Sequence, residues 1–253
     1  MKETLRRLLP KQNITLTDSQ LDTLARFGQA LLEKNQVMNL TAITAPDKVA
    51  ELHFYDCLAL LNAAVFRGKR VVDIGCGAGF PGVPLKIAES SMELTLLDSL
   101  GKRMDWLREV LPELQVEANV VTARAEEYVA SRREGYDIAV SRAVARLNIL
   151  AELCLPYVKV GGVFLAMKGQ LADVELEEAK KGIALLGGKV ERVFEYEVSS
   201  AVHRAVVIRK EKPAPPKYPR PFAKIKRARY KEKSAPSQID LERVAIFSKR
   251  NRR

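Results

Sequence analysis

The chain has 253 residues, of which 47% are hydrophobic, and this is sufficient for one sizeable core plus a smaller appendage. Three widely spaced cysteines, Cys57, Cys76 and Cys154, fit neither a disulfide framework nor a metal-ligand spacing, so we expect a reducing compartment. Residues 1–10 lack the apolar core of a secretory signal, and no apolar run approaches the roughly 18 residues that span a bilayer. We therefore predict a cytoplasmic protein that has no membrane span and acts as a monomer.

The formal net charge of +11 is concentrated at the carboxyl-terminal end of the chain. Residues 210–253 hold 15 of the 42 lysines and arginines but only 4 of the 31 acidic residues, which leaves 27 of each sign in residues 1–209. A neutral body with a basic segment is typical of a protein that binds a polyanion such as nucleic acid. The alternative is a solvated basic tail without a specific partner.

Residues 1–66 have the pattern of a small helical region. Thr17 and Gln20 form a capping-box pattern, after which leucines recur at helical spacing. Pro46 suits the first position of a further helix.

Two polar residues of this further helix, His53 and Asp56, fall on its apolar stripe, which begins at Val49. Polar groups on a buried face cost free energy unless they find partners. Two interpretations stay open. Either the two side chains satisfy each other or nearby backbone, or this part of the helix faces a wet cleft in the main domain.

From residue 67 onward, short apolar strands alternate with helical segments. Five such strands are predicted, at residues 71–75, 94–98, 116–121, 136–140 and 163–167. This alternation predicts a parallel sheet that is covered by helices on both faces.

Two more strands, at residues 194–198 and 202–209, follow close together. Only three residues separate them, which permits a hairpin but not a parallel crossover. We therefore expect an α/β fold with a Rossmann-like sheet of seven strands, the last pair antiparallel, over residues 67–210. Residues 211–253 are predicted to form a basic, proline-rich strap and tail.

The first strand of the sheet runs into a glycine loop, DIGCGAG at residues 73–79. Glycines permit a tight turn and let the backbone approach a ligand closely. Asp98, at the end of the second strand, is placed to hold ribose hydroxyl groups. These features fit a nicotinamide dinucleotide as well as S-adenosylmethionine, so the loop alone leaves two cofactors open.

Three observations favour S-adenosylmethionine. Asp73, at the end of the first strand, suits a ligand with an ammonium and a sulfonium and would repel a pyrophosphate. Pro81 and Pro84 remove backbone donors from the first helical turn, where a pyrophosphate needs them. The terminal antiparallel hairpin is typical of the methyltransferase version of this sheet. We therefore predict a methyltransferase, with a nicotinamide-dependent oxidoreductase as the alternative.

Five motifs occur in a characteristic order. They are NLTAIT (39–44), GCGAGFPG (75–82), LDSLGKR (97–103), RAVARL (142–147) and YPR (218–220). Together they resemble the bacterial guanine-N7 methyltransferases of small-subunit ribosomal RNA, the RsmG or GidB family, over roughly residues 20–220. The resemblance implies S-adenosylmethionine as cofactor, 16S ribosomal RNA or the small ribosomal subunit as partner, and N7 of a guanine in the decoding-centre loop as target. Methylation of another RNA is the alternative.

The resemblance also implies which residues contact the cofactor. They are Gly75, Phe80, Ala125, Glu126 and Arg142, and the position of Asp98 adds a ribose contact. Gly75 gives backbone access and Phe80 gives apolar cover, while residues 125–126 offer backbone donors and a carboxylate to the adenine edge. Arg142, at the end of the fourth strand, suits the carboxylate of the cofactor or an RNA phosphate.

The motifs identify fewer candidate residues for binding of the RNA substrate. Lys168, after the fifth strand, is a candidate contact to guanine O6 or a phosphate, with a solvated lysine as the alternative, and Arg220 is a second candidate. His203 is expected to serve packing or to be exposed. No catalytic acid or base is predicted, because N7 presents a lone pair and loses no proton. No metal site is predicted either. After Arg220 the basic end departs from the family, whose members usually finish in a short glycine- and proline-containing segment.

Deletion of residues 221–253 removes 11 lysines and arginines but only 3 acidic residues. We expect the truncated chain to bind ribosomal RNA more weakly and with a flatter salt dependence, because fewer phosphates are neutralised. Its affinity for S-adenosylmethionine should stay unchanged. Filter binding at several salt concentrations measures the slope, and an unchanged slope would mean that the tail makes no phosphate contacts.

Overall fold

A computed structural model describes residues 1–142 and 144–231, with side chains through Arg227. Its strands are β1 (Arg70–Ile74), β2 (Glu93–Asp98), β3 (Asn119–Thr122), β4 (Tyr136–Arg142), β5 (Val158–Lys168), β6 (Gly188–Val198) and β7 (Ala201–Lys210). They form one sheet in the order β3-β2-β1-β4-β5-β7-β6. Strands β1 to β5 run parallel, whereas β7 is antiparallel to both β5 and β6. The predicted seven-stranded α/β sheet with an antiparallel last pair is confirmed.

Helices precede the sheet and then alternate with its strands. They are α1 (Lys2–Leu8), α2 (Asp18–Met38), α3 (Pro46–Val49), α4 (Asp56–Leu58), α5 (Gly82–Ala88), α6 (Gly101–Glu113), α7 (Ala125–Tyr128), α8 (Leu147–Cys154), α9 (Ala172–Leu185) and α10 (Phe222–Lys231). The predicted capping box is present at Thr17, and Pro46 lies in the first turn of α3. A π-helical turn, Ala50–Tyr55, joins α3 to α4 and carries His53. Such turns occur frequently at functional sites.

The strand order reverses between β1 and β4. From β1 the chain moves outward to β2 and β3, returns to β4 and then continues on the other side. In open α/β sheets, ligands bind in the crevice outside the carboxyl ends of the strands at such a reversal. Asp73 on β1 pairs with Val140 on β4. The loop after β1 and the segment after β4 therefore meet at the same sheet edge.

Four aromatic side chains join the N-terminal helices to this edge. The ring centre of Phe27 on α2 lies 5.7 Å from that of Phe80 and 6.0 Å from that of Trp106 on α6. Phe54 of the π-helical turn is 6.0 Å from both Phe27 and Phe80. All four are buried, and aromatic pairs at these distances stabilise packing beyond simple area burial. The N-terminal helices and the sheet therefore share one core within the compact unit Met1–Pro219.

Three strands, β3, β5 and β6, begin three or more residues away from their predicted starts, and β6 begins at Gly188 rather than at position 194. β3 begins at Asn119 rather than at position 116, because Val116 N–H donates to Leu111 O (3.0 Å) and Gln115 adopts a φ of 57°, which completes the end of α6. β5 begins at Val158, earlier than predicted, and its pairing with β4 crosses a register shift.

The strap predicted after β7 is bonded to two loops of the sheet. Lys212 N–H donates to Gly187 O (3.0 Å), in the loop before β6. Ala214 N–H donates to Glu134 Oε1 (3.0 Å), in the loop before β4. These hydrogen bonds keep the strap with the main unit.

Residues from Arg220 onward separate as a second unit, Arg220–Arg253. The structure describes α10 within it, and the rest of the predicted basic tail lies outside the described residues. Among the helices that the structure describes, none is long and apolar enough to cross a membrane.

A two-residue turn, Ser199-Ser200, joins β6 to β7, and its residues have positive φ angles of 51° and 64°. Hairpin turns of this kind favour Asn-Gly, because serine adopts the left-handed region at a cost. We expect the double replacement of Ser199→Asn and Ser200→Gly to raise the free energy of unfolding by about 1 kcal/mol, as measured by urea denaturation. Ser90→Gly, at an exposed turn without a positive φ, is the control and should not stabilise. An equal gain in both proteins would contradict the explanation.

Candidate functional site

The glycine loop follows β1 as predicted. Gly75, Gly77 and Gly79 have φ angles of 72°, 55° and 92°, a region that residues with side chains rarely adopt. A Cβ atom at Gly75 would also clash with the side chain of Val144, in the segment after β4. Gly75 is therefore required both by its backbone conformation and by the close approach of a second segment.

Asp98, the last residue of β2, holds the glycine loop in place. Its Oδ2 accepts a hydrogen bond from Gly77 N–H (3.0 Å), and its Oδ1 accepts one from Leu100 N–H (2.9 Å). The carboxylate is only partly buried, so lone pairs remain for a ligand hydroxyl. The structure thus places Asp98 beside the loop, where a ribose contact is expected.

Asp73, on β1 directly before the loop, is completely buried. Its Oδ2 accepts a hydrogen bond from Gly82 N–H (2.7 Å), at the first residue of α5. Its Oδ1 has no hydrogen-bond partner among the described residues, and burial raises the pKa of the carboxyl group to about 7. The donor at the start of α5 is thus used internally, and a free buried acceptor lies next to the loop. This arrangement fits a ligand with an ammonium group and disfavours a pyrophosphate.

Phe80, at the end of the glycine motif, packs against two polar side chains. Its ring centre lies 4.7 Å from that of His53 and 5.0 Å from the guanidinium carbon of Arg142. Both contacts are within the range of favourable ring and cation–π interactions. The predicted apolar cover and the predicted arginine are therefore in direct contact.

Arg142 ends β4, and acceptors surround its guanidinium. Nη1 donates to Leu52 O (3.3 Å) and to Asp56 Oδ2 (3.1 Å), while Nη2 lies 3.1 Å from His53 Nδ1. Because arginine only donates, His53 Nδ1 is the acceptor. Burial, together with the charge of Arg142, lowers the pKa of His53 to about 4, so this ring is neutral.

Neither of the two interpretations that the sequence left open for His53 and Asp56 describes their contacts fully. The carboxylate of Asp56 is buried and also accepts from Tyr196 Oη (3.0 Å) and His203 Nδ1 (2.8 Å), while His53 Nε2 lies 2.8 Å from Thr41 Oγ1. The helix does face the main domain, but its polar groups are bonded to the sheet. The expectation that His203 serves packing or exposure is incomplete: the ring packs edge-on against Tyr196, but it also pairs with Asp56, and this hydrogen bond raises its pKa.

Ala125 and Glu126 begin α7, directly after β3. Ala123 N–H donates to Asp98 O (3.1 Å), which ties this segment to the end of β2. Tyr157 Oη donates to Ala125 O (2.6 Å), while Glu126 is only half-buried. The pair expected at the adenine edge thus lies at the same sheet edge as Asp98.

Lys168 is not a solvated lysine. Its Nζ donates to Ala145 O (2.6 Å) and pairs with Glu175 of α9 (2.8 Å), and its side chain is 8% exposed. Glu175 also accepts from Leu147 N–H (2.8 Å), so Lys168 helps to hold the segment after β4. Arg220, the other candidate of the substrate side, is the first residue of the second unit.

Three features of the site escaped sequence reasoning. Val144 contacts Gly75, Thr41 contacts His53, and His203 contacts Asp56. Val144 and Thr41 fall within family motifs, which is a signal of importance but not of contact. No local signal joins His203 to Asp56. Within the part of the chain that the structure describes, no group of three His, Cys, Asp or Glu residues could hold a metal ion.

Comparisons with known proteins identify the family of this chain. The family model described as rRNA small subunit methyltransferase G matches residues 20–204. A ribosomal RNA small subunit methyltransferase G of Alkaliphilus oremlandii is 45% identical over 230 residues, which cover 88% of this chain and 96% of that protein. The protein of the same name from Brevibacillus brevis is 46% identical over 225 residues, which cover 87% and 94%.

Solved structures with a similar fold are more distant in sequence. TrmN from Thermus thermophilus superimposes with a TM-score of 0.51 at 18% identity, over 62% of this chain and 48% of that chain. A mutant of MtNAS gives a TM-score of 0.53 at 18% identity, over 84% and 77%. At this level of identity, the likeness shows the fold alone.

The family match and the two relatives confirm the prediction of a methyltransferase that uses S-adenosylmethionine. The matched region contains the glycine loop, Asp73, Asp98 and Arg142, whose geometry fits that cofactor. The chain belongs to the rRNA small subunit methyltransferase G family.

Proposed function

We propose that this chain transfers the methyl group of S-adenosylmethionine to N7 of a guanine in the decoding-centre loop of 16S ribosomal RNA. The observation that carries the proposal is the meeting of the glycine loop, the free buried oxygen of Asp73 and the carboxylate of Asp98 at one sheet edge. The relatives that match nearly their whole length are named as methyltransferases of small-subunit ribosomal RNA. We propose further that the chain acts in the cytoplasm as a monomer, on 16S ribosomal RNA or the small subunit.

Each residue of the sheet edge has a role in holding the cofactor. The proposed cofactor residues are Gly75, Phe80, Asp98, Ala125, Glu126 and Arg142. Gly75 exposes backbone where a side chain would intrude, and Phe80 provides an apolar surface. Asp98 accepts hydrogen bonds from ribose hydroxyls while it keeps the loop in position. Arg142 pairs with the carboxylate of the cofactor.

The reaction needs no general base, because N7 of guanine already presents a lone pair. When bound, S-adenosylmethionine supplies an electrophilic methyl group on a sulfonium. Both histidines of the chain are engaged elsewhere: His53 is a neutral ring between Arg142 and Thr41, and His203 is paired with Asp56. The contribution of the protein is therefore to align the two reactants and to exclude water.

We propose that basic groups in residues 210–253 contact the RNA, because residues 1–209 are balanced in charge. Arg220 and the tail supply the charge that a phosphate backbone attracts. Lys168 acts differently, because its ammonium already has two oxygen partners. We propose that it supports the target pocket by holding the segment 144–147.

The Asp98→Asn variant tests the cofactor site. An amide cannot replace a carboxylate that accepts from two N–H groups and a ribose, and hydrogen bonds to charged groups contribute roughly 1.5–3 kcal/mol. We expect the Kd for S-adenosylmethionine to rise about 10- to 100-fold in titration calorimetry. Asp105→Asn on α6, an exposed carboxylate that pairs with Arg108 (2.7 Å), is the matched control. Wild-type affinity in both variants would refute the assignment of Asp98.

The target atom is tested with modified RNA. The methylated base is first mapped by comparing ribosomal RNA from cells with and without this protein. RNA with 7-deazaguanine at that position replaces N7 by C–H, which removes the nucleophilic lone pair, so we expect no methyl incorporation. The same substitution at a neighbouring guanine is the control and should leave the reaction intact. Methylation of the first RNA would show that another atom is the acceptor.

A further inference from the structure

Asp56, Arg142, His53, Tyr196 and His203 form one connected group, here called the Asp56 cluster, at the cofactor edge. We propose that Asp56 is a positioning residue that holds the guanidinium of Arg142 in the cofactor site, and that the protonation state of His203 sets how firmly it does so. The inference rests on the proposed function for the contact between Arg142 and the cofactor. It adds two residues that act through Arg142.

The two oxygens of the Asp56 carboxylate face different partners. Oδ2 accepts from Arg142 Nη1 at 3.1 Å, while Oδ1 accepts from His203 Nδ1 at 2.8 Å and from Tyr196 Oη at 3.0 Å. Asp56 is only 4% exposed, and a charge at this depth is stable only when it is paired and hydrogen-bonded. Donors from β4, β6 and β7 thus fix the plane of the carboxylate, and the carboxylate fixes the guanidinium.

The other side of Arg142 is held by a neutral group. Nη2 donates to His53 Nδ1 at 3.1 Å, so the ring proton lies on Nε2, which faces Thr41 Oγ1 at 2.8 Å. The neutral ring orients Arg142 without balancing its charge. The carboxylate of Asp56 is therefore the ion-pair partner of Arg142.

Among the described residues, the charged or titratable groups that act on Asp56 or His203 include Arg142 on β4, Tyr196 on β6 and Cys57 on α4. Burial raises the pKa values of Tyr196 and Cys57 far above neutrality, so both stay uncharged. The pKa of Arg142 is raised by neighbouring negative groups, although burial opposes this, and it stays cationic. The hydrogen bond to Asp56 raises the pKa of His203 above 6.5, although burial opposes it. Because Arg142 stays cationic and Tyr196 and Cys57 stay neutral, His203 is the group among these four whose charge changes with pH.

Two further groups face Arg142. His53 has its pKa lowered to about 4 and stays neutral, whereas burial raises the pKa of Asp73 to about 7. The charge of Asp73 therefore also changes with pH. A test of the inference must follow His203 itself and compare variants at equal pH.

Protonation of His203 has two effects on Arg142. Below the pKa of His203, Arg142, Asp56 and His203 together carry one net positive charge, and a charge-assisted hydrogen bond anchors Asp56. Above it, the net charge of the three groups is zero and the anchor weakens. The attraction of Arg142 for a carboxylate ligand therefore decreases as pH rises through the pKa of His203.

The Asp56→Asn variant distinguishes the effect of the position of the Arg142 guanidinium on cofactor affinity from the effect of net charge. In Asp56→Asn, His203 loses the interaction that raises its pKa, so it becomes neutral at pH 7. The three positions then again carry one net positive charge, that of Arg142. A loss of cofactor affinity in this variant at pH 7 thus reports the position of the guanidinium.

The chain contains two histidines, so NMR shows two sets of imidazole signals, and the set that is missing in His203→Gln belongs to His203. In the full-length protein we expect its pKa to lie above 6.5 in the wild type and at or below this value in Asp56→Asn. Calorimetry with S-adenosylmethionine at pH 7 should give roughly tenfold weaker binding for Asp56→Asn. His203→Gln should bind the cofactor more weakly than the wild type at low pH, and the two affinities should converge at high pH.

Glu195→Gln is the matched control, because Glu195 is an exposed carboxylate on the same hairpin that pairs with Arg204 (2.6 Å). It should keep wild-type affinity and the wild-type titration of His203. Wild-type affinity at every pH in both Asp56→Asn and His203→Gln would overturn the inference, and if Asp56→Asn does not fold, His203→Gln decides alone. Failure of the proposed function looks different: the wild type would not bind S-adenosylmethionine, or Arg142→Gln would bind it unchanged.

Discussion

The buried ion pair between Asp56 and Arg142 joins the N-terminal helices to the carboxyl edge of the sheet, and the geometry of the site depends on it. A buried pair is stable only when its remaining donors and acceptors are also satisfied. Leu52 O and His53 satisfy the arginine, while Tyr196 and His203 satisfy the carboxylate. The same bonds place Arg142 against Phe80. The N-terminal helices are therefore part of the cofactor edge and not an appendage to it.

Two further carboxylates shape the glycine loop from neighbouring strands. Asp98 on β2 accepts from Gly77 N–H, and Asp73 on β1 accepts from Gly82 N–H. The backbone bonds within the loop, such as those from Gly79 N–H and Phe80 N–H to Cys76 O, leave the N–H groups of Gly77 and Gly82 to these carboxylates. The same acids keep acceptor capacity for a ligand. The side chains that support the loop are thus the same ones that we propose to recognise a cationic, hydroxyl-bearing cofactor.

The distribution of charge along the chain matches the two proposed binding functions, for the cofactor and for RNA. Residues 1–209 are balanced in charge, and the positive excess lies in residues 210–253. A balanced body can hold a cofactor that carries both signs, whereas a polyanion is attracted by local positive charge. Because the proposed methylation of N7 removes no proton, it requires no base between these two functions. Each histidine instead forms a structural hydrogen bond, His53 with Arg142 and His203 with Asp56.

Periodicity and spacing along the chain predicted the sheet, its antiparallel end and the glycine loop, because strands, helix starts and glycine turns are encoded by neighbouring residues. Most of the proposed cofactor residues came instead from the family resemblance. Periodicity and spacing did not reveal the pairing of His203 with Asp56, which are 147 positions apart. That contact exists because β7 inserts between β5 and β6 and sets Tyr196 opposite His203, so that both side chains reach the same carboxylate. Strand order and register depend on the packing of the whole sheet, and only the folded chain brings such residues together.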